Sequence, residues 1–118
     1  NRKCVTYIFS KIEKSFDINE EFSNIKIASI EHIYNDTDKE NEDFASYIGN
    51  LLPLSKKLNG KIANKNFSEK LAYYKGSNLL TVRNFLEHHG NKTTWSEENV
   101  LDRGKHLADY CFDKIWLF

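Results

Sequence analysis

Residues 24–34, Asn24-Ile25-Lys26-Ile27-Ala28-Ser29-Ile30-Glu31-His32-Ile33-Tyr34, decide how this chain is read. Ile25, Ile27 and Ile30 approximate a period of two and are β-branched, which predicts a strand running into Glu31-His32. Neighbouring strand residues point to opposite faces, so this acid and this imidazole serve one ligand only if the strand ends where they stand. Upstream, Val5, Ile8, Phe9, Ile12 and Phe16 recur at helical spacing and predict an amphipathic helix ending near Asp17. Downstream, "NDTDKENEDFAS" (35–46) is acidic and aperiodic, which predicts a solvated loop.

Beyond that loop, "YIGNLLPLS" (47–55) is a brief apolar run around Gly49 and Pro53. It suits a second strand or an irregular extended piece. From Leu58 the chain turns basic and helical, with interruptions expected at Gly60 and Gly76. Ser77 or Asn78 is the expected cap of a helix carrying Leu79, Leu80, Val82, Phe85 and Leu86. Thr94-Trp95-Ser96-Glu97 fits a capping box for a long last helix, with Val100, Leu101, Leu107, Ala108, Cys111 and Ile115 expected along one face. The order helix, strand, loop, short strand, helices predicts an α+β fold, mainly helical with a minimal two-stranded ribbon that needs helices packed on it.

The 118 residues, 40% hydrophobic and 14% aromatic, are enough for one core, so a single domain over 1–118 is expected. Seventeen basic and 17 acidic residues balance, which removes any whole-chain attraction for a polyanion. Locally, however, Lys56, Lys57, Lys61, Lys65, Lys70, Lys75 and Arg83 share a stretch whose only acid is Glu69. Cys4 and Cys111 form no CxxC pair and are expected as two buried thiols. No apolar run reaches the roughly 18 residues of a membrane span, and the first residues are too charged for a signal peptide. A soluble cytoplasmic protein is expected. With Asn1 first and no methionine, the chain is expected to be the C-terminal part of something longer.

The candidate chemistry rests on Glu31, His32, Asn50 in "IGNL" and Asn59 in "KKLNGK". Taken singly, each has a plainer role: a surface Glu-His pair, a Gly-Asn turn, a helix end. Their ordered set, EHI, GNL, LN, then "NKNFSEK" with a following tyrosine and a late tryptophan and arginine, resembles the HNH nuclease domain at the C-terminus of GmrSD-type restriction endonucleases. The likeness covers nearly the whole chain. It implies a ββα-metal motif in which His32 is the general base that activates water, Glu31 and Asn59 hold one divalent metal, and Asn50 secures the loop around His32. Lys70, Asn66, Arg103 and Lys61 are implied as phosphate contacts or supports of the site. Histidine, with an ordinary pKa near ~6.5, offers a neutral fraction able to take a proton. A carboxylate and an amide oxygen are hard ligands suited to Mg2+ or Mn2+.

The resemblance further implies double-stranded, possibly modified DNA as substrate, and an upstream ParB-like nucleotide-hydrolysing domain or subunit as partner, within a restriction or phage-defence system. Two departures stand out. The family's proline after EHI is Asn35 here, which implies a looser strand exit, and the acidic loop would repel DNA if it covered the site. The competing expectations are a catalytically silent nucleic-acid-binding module and a protein-interaction domain on the same scaffold. The adjacent His88 and His89 are expected at a solvated helix end, His106 on a helix surface, and Trp95 and Trp116 in the core.

Overall fold

The computed structural model describes residues 2–17, 27–35, 43–62 and 64–115. Ile25, most of the acidic loop (36–42) and Trp116 lie outside the described residues. Helix α1 (Arg2–Phe16) comes first, then strand β1 (Ser29–His32), a 3₁₀ turn (Asp43–Ser46), a second 3₁₀ turn (Ile48–Asn50) and strand β2 (Leu51–Leu54). Four helices follow: α2 (Lys56–Ile62), α3 (Phe67–Tyr74), α4 (Leu80–His89) and α5 (Glu97–Tyr110), the last passing into a π turn (Cys111–Ile115). The arrangement is the mainly helical α+β fold with a minimal ribbon.

β1 and β2 pair antiparallel, with Ser29 opposite Leu54, Ile30 opposite Pro53, Glu31 opposite Leu52 and His32 opposite Leu51. Proline is tolerated here because each strand of a two-stranded ribbon has a free edge. The ribbon divides two apolar clusters. Leu52 and Leu54 join Ile33, Ile62, Tyr74, Val82, Phe85, Trp95 and Val100. Leu51 joins Phe9, Ile12 and Cys111, with Ile30 packed alongside. All four residues of β2 are therefore buried, as a strand covered by helices on both faces requires.

Several boundaries differ from expectation. Gly60 does not interrupt α2, because a single glycine costs a helix only about 1 kcal/mol. The cap of α4 is Leu79, which makes no side-chain cap bond. Its orphan N–H groups are met by Glu13 of α1: Leu80 N donates to Oε2 (2.7 Å) and Thr81 N to Oε1 (2.8 Å). The box on α5 lies two residues later than expected, with Ser96 as cap and Asn99 closing it. Leu101 and Ala108 are exposed, and Arg103 is buried in their stead. Cys111 is buried but Cys4 is exposed, because the apolar stripe of α1 runs through Phe9 and Ile12 instead.

Candidate functional site

β1 ends at His32, and alternation along it turns Ser29 and Glu31 inward toward the α2 and α3 side, while Ile30 and His32 turn to the other face and stay half-buried. Glu31, only 6% exposed, meets two residues of α3. Lys70 Nζ lies 3.0 Å from Oε2, and Tyr74 donates its hydroxyl to the same oxygen at 2.8 Å. Lys70 and Tyr74 stand four apart on one helix face, which is why a single helix can supply both groups to one carboxylate. Burial first, then the negative charge of Glu31 and the bond to it, drives the Tyr74 hydroxyl far above its ordinary pKa, so it remains a neutral donor.

Lys70 is a buried hub with 1% of its surface exposed. Besides Glu31, its ammonium donates to the carbonyls of His32 (2.7 Å) and Ile33 (3.1 Å) and to Asn35 Oδ1 (2.8 Å). The backbone of His32 is thus fixed from beneath by a charge-assisted bond. Asn35 also donates through Nδ2 to the carbonyl of Lys65 at 3.4 Å. At the position where the resemblance implies a looser strand exit, Asn35 is therefore tied to both Lys70 and Lys65.

Asn50, fully buried, binds the segment after His32 from the other end. Its Oδ1 accepts from the Tyr34 N–H (2.7 Å) and from Trp95 Nε1 (3.2 Å), and its Nδ2 donates to the carbonyls of Tyr34 (3.0 Å) and Ala45 (2.9 Å). Every hydrogen-bonding capacity of that amide is used, as burial demands. Asn59 of α2 approaches β1 through Nδ2, which donates to Ser29 Oγ (3.1 Å) and the Ile30 carbonyl (3.4 Å). That orients its amide.

Among the described residues no hydrogen bond falls on Asn59 Oδ1 or on Glu31 Oε1. Carboxylate and amide oxygens are hard donors of the kind that Mg2+ or Mn2+ takes. No group of three or more His, Cys, Asp or Glu suited to a metal occurs among the described residues.

The remaining candidates occupy supporting positions. Asn66 caps α3 in a reciprocal box with Glu69. Arg103, 5% exposed, donates through Nη1 to the carbonyls of Gly49 (3.0 Å) and Leu51 (2.6 Å), holding the approach to β2. Lys61, Lys56, Lys57 and Lys75 are exposed, and Lys65 rests over the Tyr73 ring. A cavity of about 640 Å³ opens just beyond His32, lined by Tyr34, Asn35, Lys65, Asn66, Ser68, Thr93 and Thr94 over Ile33, Phe67 and Trp95. It contains no acid, although Glu31, His32 and Asn59 themselves do not line it. Tyr74, Asn35 and Trp95 are partners of the site that residue types alone did not reveal. For Tyr74 the signal was available in its spacing of four from Lys70.

A strand-ending histidine on a ribbon buttressed by a buried lysine and a saturated asparagine defines a helix-covered ribbon module built to hold one short segment rigid. Residues 1–110 match the family model for GmrSD restriction endonucleases, C-terminal domain, and the chain belongs to that family. No curated protein and no solved structure matches it. No helix among the described residues is long and apolar enough to cross a membrane.

Proposed function

We propose that this domain is an HNH-type endonuclease that hydrolyses DNA phosphodiester bonds with a divalent cation, Mg2+ or Mn2+, and His32 as general base. The observation that carries the reading is the double restraint on His32 and the residues after it, by Lys70 at the His32 and Ile33 carbonyls and by Asn50 at Tyr34. A general base must be held at hydrogen-bonding reach of the attacking water, and small misplacements are expensive. In this scheme neutral His32 takes the proton of a water aimed at phosphorus. Glu31 and Asn59 would hold the cation, which when bound supplies charge stabilisation for the leaving 3′ oxygen. The polar, acid-free cavity beside Asn35 would take the adjoining phosphate backbone, with Lys65 at its wall and Lys61 on the exposed face of α2.

Family membership supports a role in a restriction system. We further propose that an upstream ParB-like unit supplies targeting toward modified DNA. One observation favours the silent binding module as a second reading: Glu31 is already neutralised by Lys70. That module would bind DNA without cutting it.

The deciding experiment is nicking of supercoiled plasmid with Mg2+, with Mn2+ and with chelator, by the wild type and by His32→Ala. Because His32→Ala leaves the bonds of Lys70 and Asn50 to the backbone in place, it should keep its helical circular dichroism. It should lose at least about 100-fold in metal-dependent cutting. Undiminished cutting by folded His32→Ala would reject His32 as the base, and DNA binding with no cutting by the wild type together with its upstream region would favour the silent module.

A further inference from the structure

A second cavity, of about 430 Å³, lies between α1, α4 and α5, and its lining contains no aspartate or glutamate. Arg103 lines it. Both described hydrogen bonds of that guanidinium use Nη1, so among the described residues Nε and Nη2 make none, and no carboxylate pairs with the charge. Burial lowers Arg103 to about 9, still well above neutrality, so a cation sits in this wall without an anion. The faces of Phe85 (5.1 Å) and Phe9 (6.0 Å) compensate only in part.

Three imidazoles share the cavity: His88 and His89 from the end of α4, and His106 from α5. His89 Nδ1 is buried and has no hydrogen-bond partner among the described residues. That nitrogen is closed to solvent, so as the ring stands it does not face the cavity. His88 Nδ1 donates to the Asn84 carbonyl at 2.9 Å, so its second ring nitrogen is an N–H donor only in the doubly protonated ring. Lys92 adds a further positive charge near His89.

We propose that this cavity binds a phosphate-type oxyanion, paired with Arg103 and with the imidazoles of His88, His89 and His106 around it. An anion of that class accepts several N–H bonds at once and supplies the counter-charge that the guanidinium lacks. Free phosphate and the phosphate of a nucleotide share this chemistry. The volume and the rings of Phe16, Phe85 and Tyr110 leave space for an attached base. The site is separate from the proposed cutting of DNA and stands or falls independently of it.

The test is a titration of the full chain, followed by the imidazole NMR resonances, with inorganic phosphate, with adenosine monophosphate, and with chloride at matched ionic strength. Saturable shifts of His88, His89 and His106 with the phosphates but not with chloride are expected. Tighter binding of the nucleotide would assign the aromatic wall to a base, and equal binding would assign the site to phosphate alone. His88→Ala/His106→Ala, which removes two exposed rings, should weaken binding at least about tenfold. Arg103→Lys, if it folds, should weaken it comparably because the planar fork is lost. Identical shifts with chloride, or unaltered affinity in the folded histidine variant, would overturn the proposal.

Discussion

Lys70 shows how one buried side chain can organise the whole end of a ribbon. Its ammonium is the cation for Glu31 and the donor for three oxygens along β1 and its exit. Removing it leaves a buried carboxylate uncompensated, whereas removing both charges leaves an apolar gap. Lys70→Met should therefore lose about 3–5 kcal/mol of stability, and Glu31→Leu/Lys70→Met should lose less than the single change. Urea unfolding of the two single variants and the double variant, read as a thermodynamic cycle, would give a coupling of about 0.5–3 kcal/mol. Additive losses would mean that the carbonyl bonds, not the ion pair, account for the burial of Lys70. The family resemblance pointed to Lys70 as either a phosphate contact or a support. Only packing decides, because a lysine on a basic stretch looks the same whether its stem turns outward or inward.

At the scale of elements, two glycines that look alike in sequence have opposite roles. Gly49 sits where the Ile48–Asn50 turn touches the backbone of α5. A Cβ there would collide with the Val100 carbonyl and lie 2.7 Å from Gly104 N, while one on Gly60 meets nothing within 4 Å. Gly49→Ala should cost about 3 kcal/mol by forcing turn and helix apart, and Gly60→Ala should gain about 0.5–1 kcal/mol. Opposite displacements of the urea midpoint would confirm the pair.

The start of α4 gives a further element-scale expectation. Glu13, 5% exposed, accepts two backbone N–H groups and the Thr81 hydroxyl (2.7 Å), so Glu13→Ala should cost about 2–3 kcal/mol. Glu13→Gln, which keeps one acceptor, should cost less by the same assay. Ser77 and Asn78 were reasonable local caps, but the true partner lies 67 and 68 positions away from Leu80 and Thr81, and no local signal could announce it. The α5 cap illustrates the same limit. Thr94-x-x-Glu97 and Ser96-x-x-Asn99 both have capping logic, and the burial of Trp95 against Phe67 and Phe85 settles the choice. By contrast, α1 and the presence of a ribbon were legible from spacing, although of the isoleucines expected to mark the strand only Ile30 lies in β1, Ile27 precedes it, and the buried face carries Ser29 and Glu31. Glu31, His32, Asn50 and Asn59 stand out in the sequence only as an ordered set, while the partners the structure gives them are a matter of tertiary contact.

For the molecule as a whole, the concentration of positive charge between α4 and α5 makes acid a specific threat to folding. His89 packs edge-on to Trp95 and against Phe85, each 5.1 Å between centroids. Burial first, then Arg103 and the neighbouring Lys92, His88 and His106, lowers its pKa to about 4 from the ordinary 6.5. Between those values the unfolded chain carries a proton on this ring that the folded protein does not. The contribution is therefore intact above pH 6.5 and is lost as pH falls toward about 4. The slope is at most about 1.4 kcal/mol per pH unit, and solvent screening of this partly open ring reduces it. His89→Phe keeps an aromatic ring against Trp95 and removes the titration. From about pH 7 to about pH 5 the wild type should lose about 1 kcal/mol more than His89→Phe in urea unfolding. Parallel losses in the two proteins would place the acid sensitivity elsewhere. The comparison isolates His89 because carboxylate protonation acts on both proteins alike, and because it reads stability alone it is unaffected by whether the ribbon site cuts DNA.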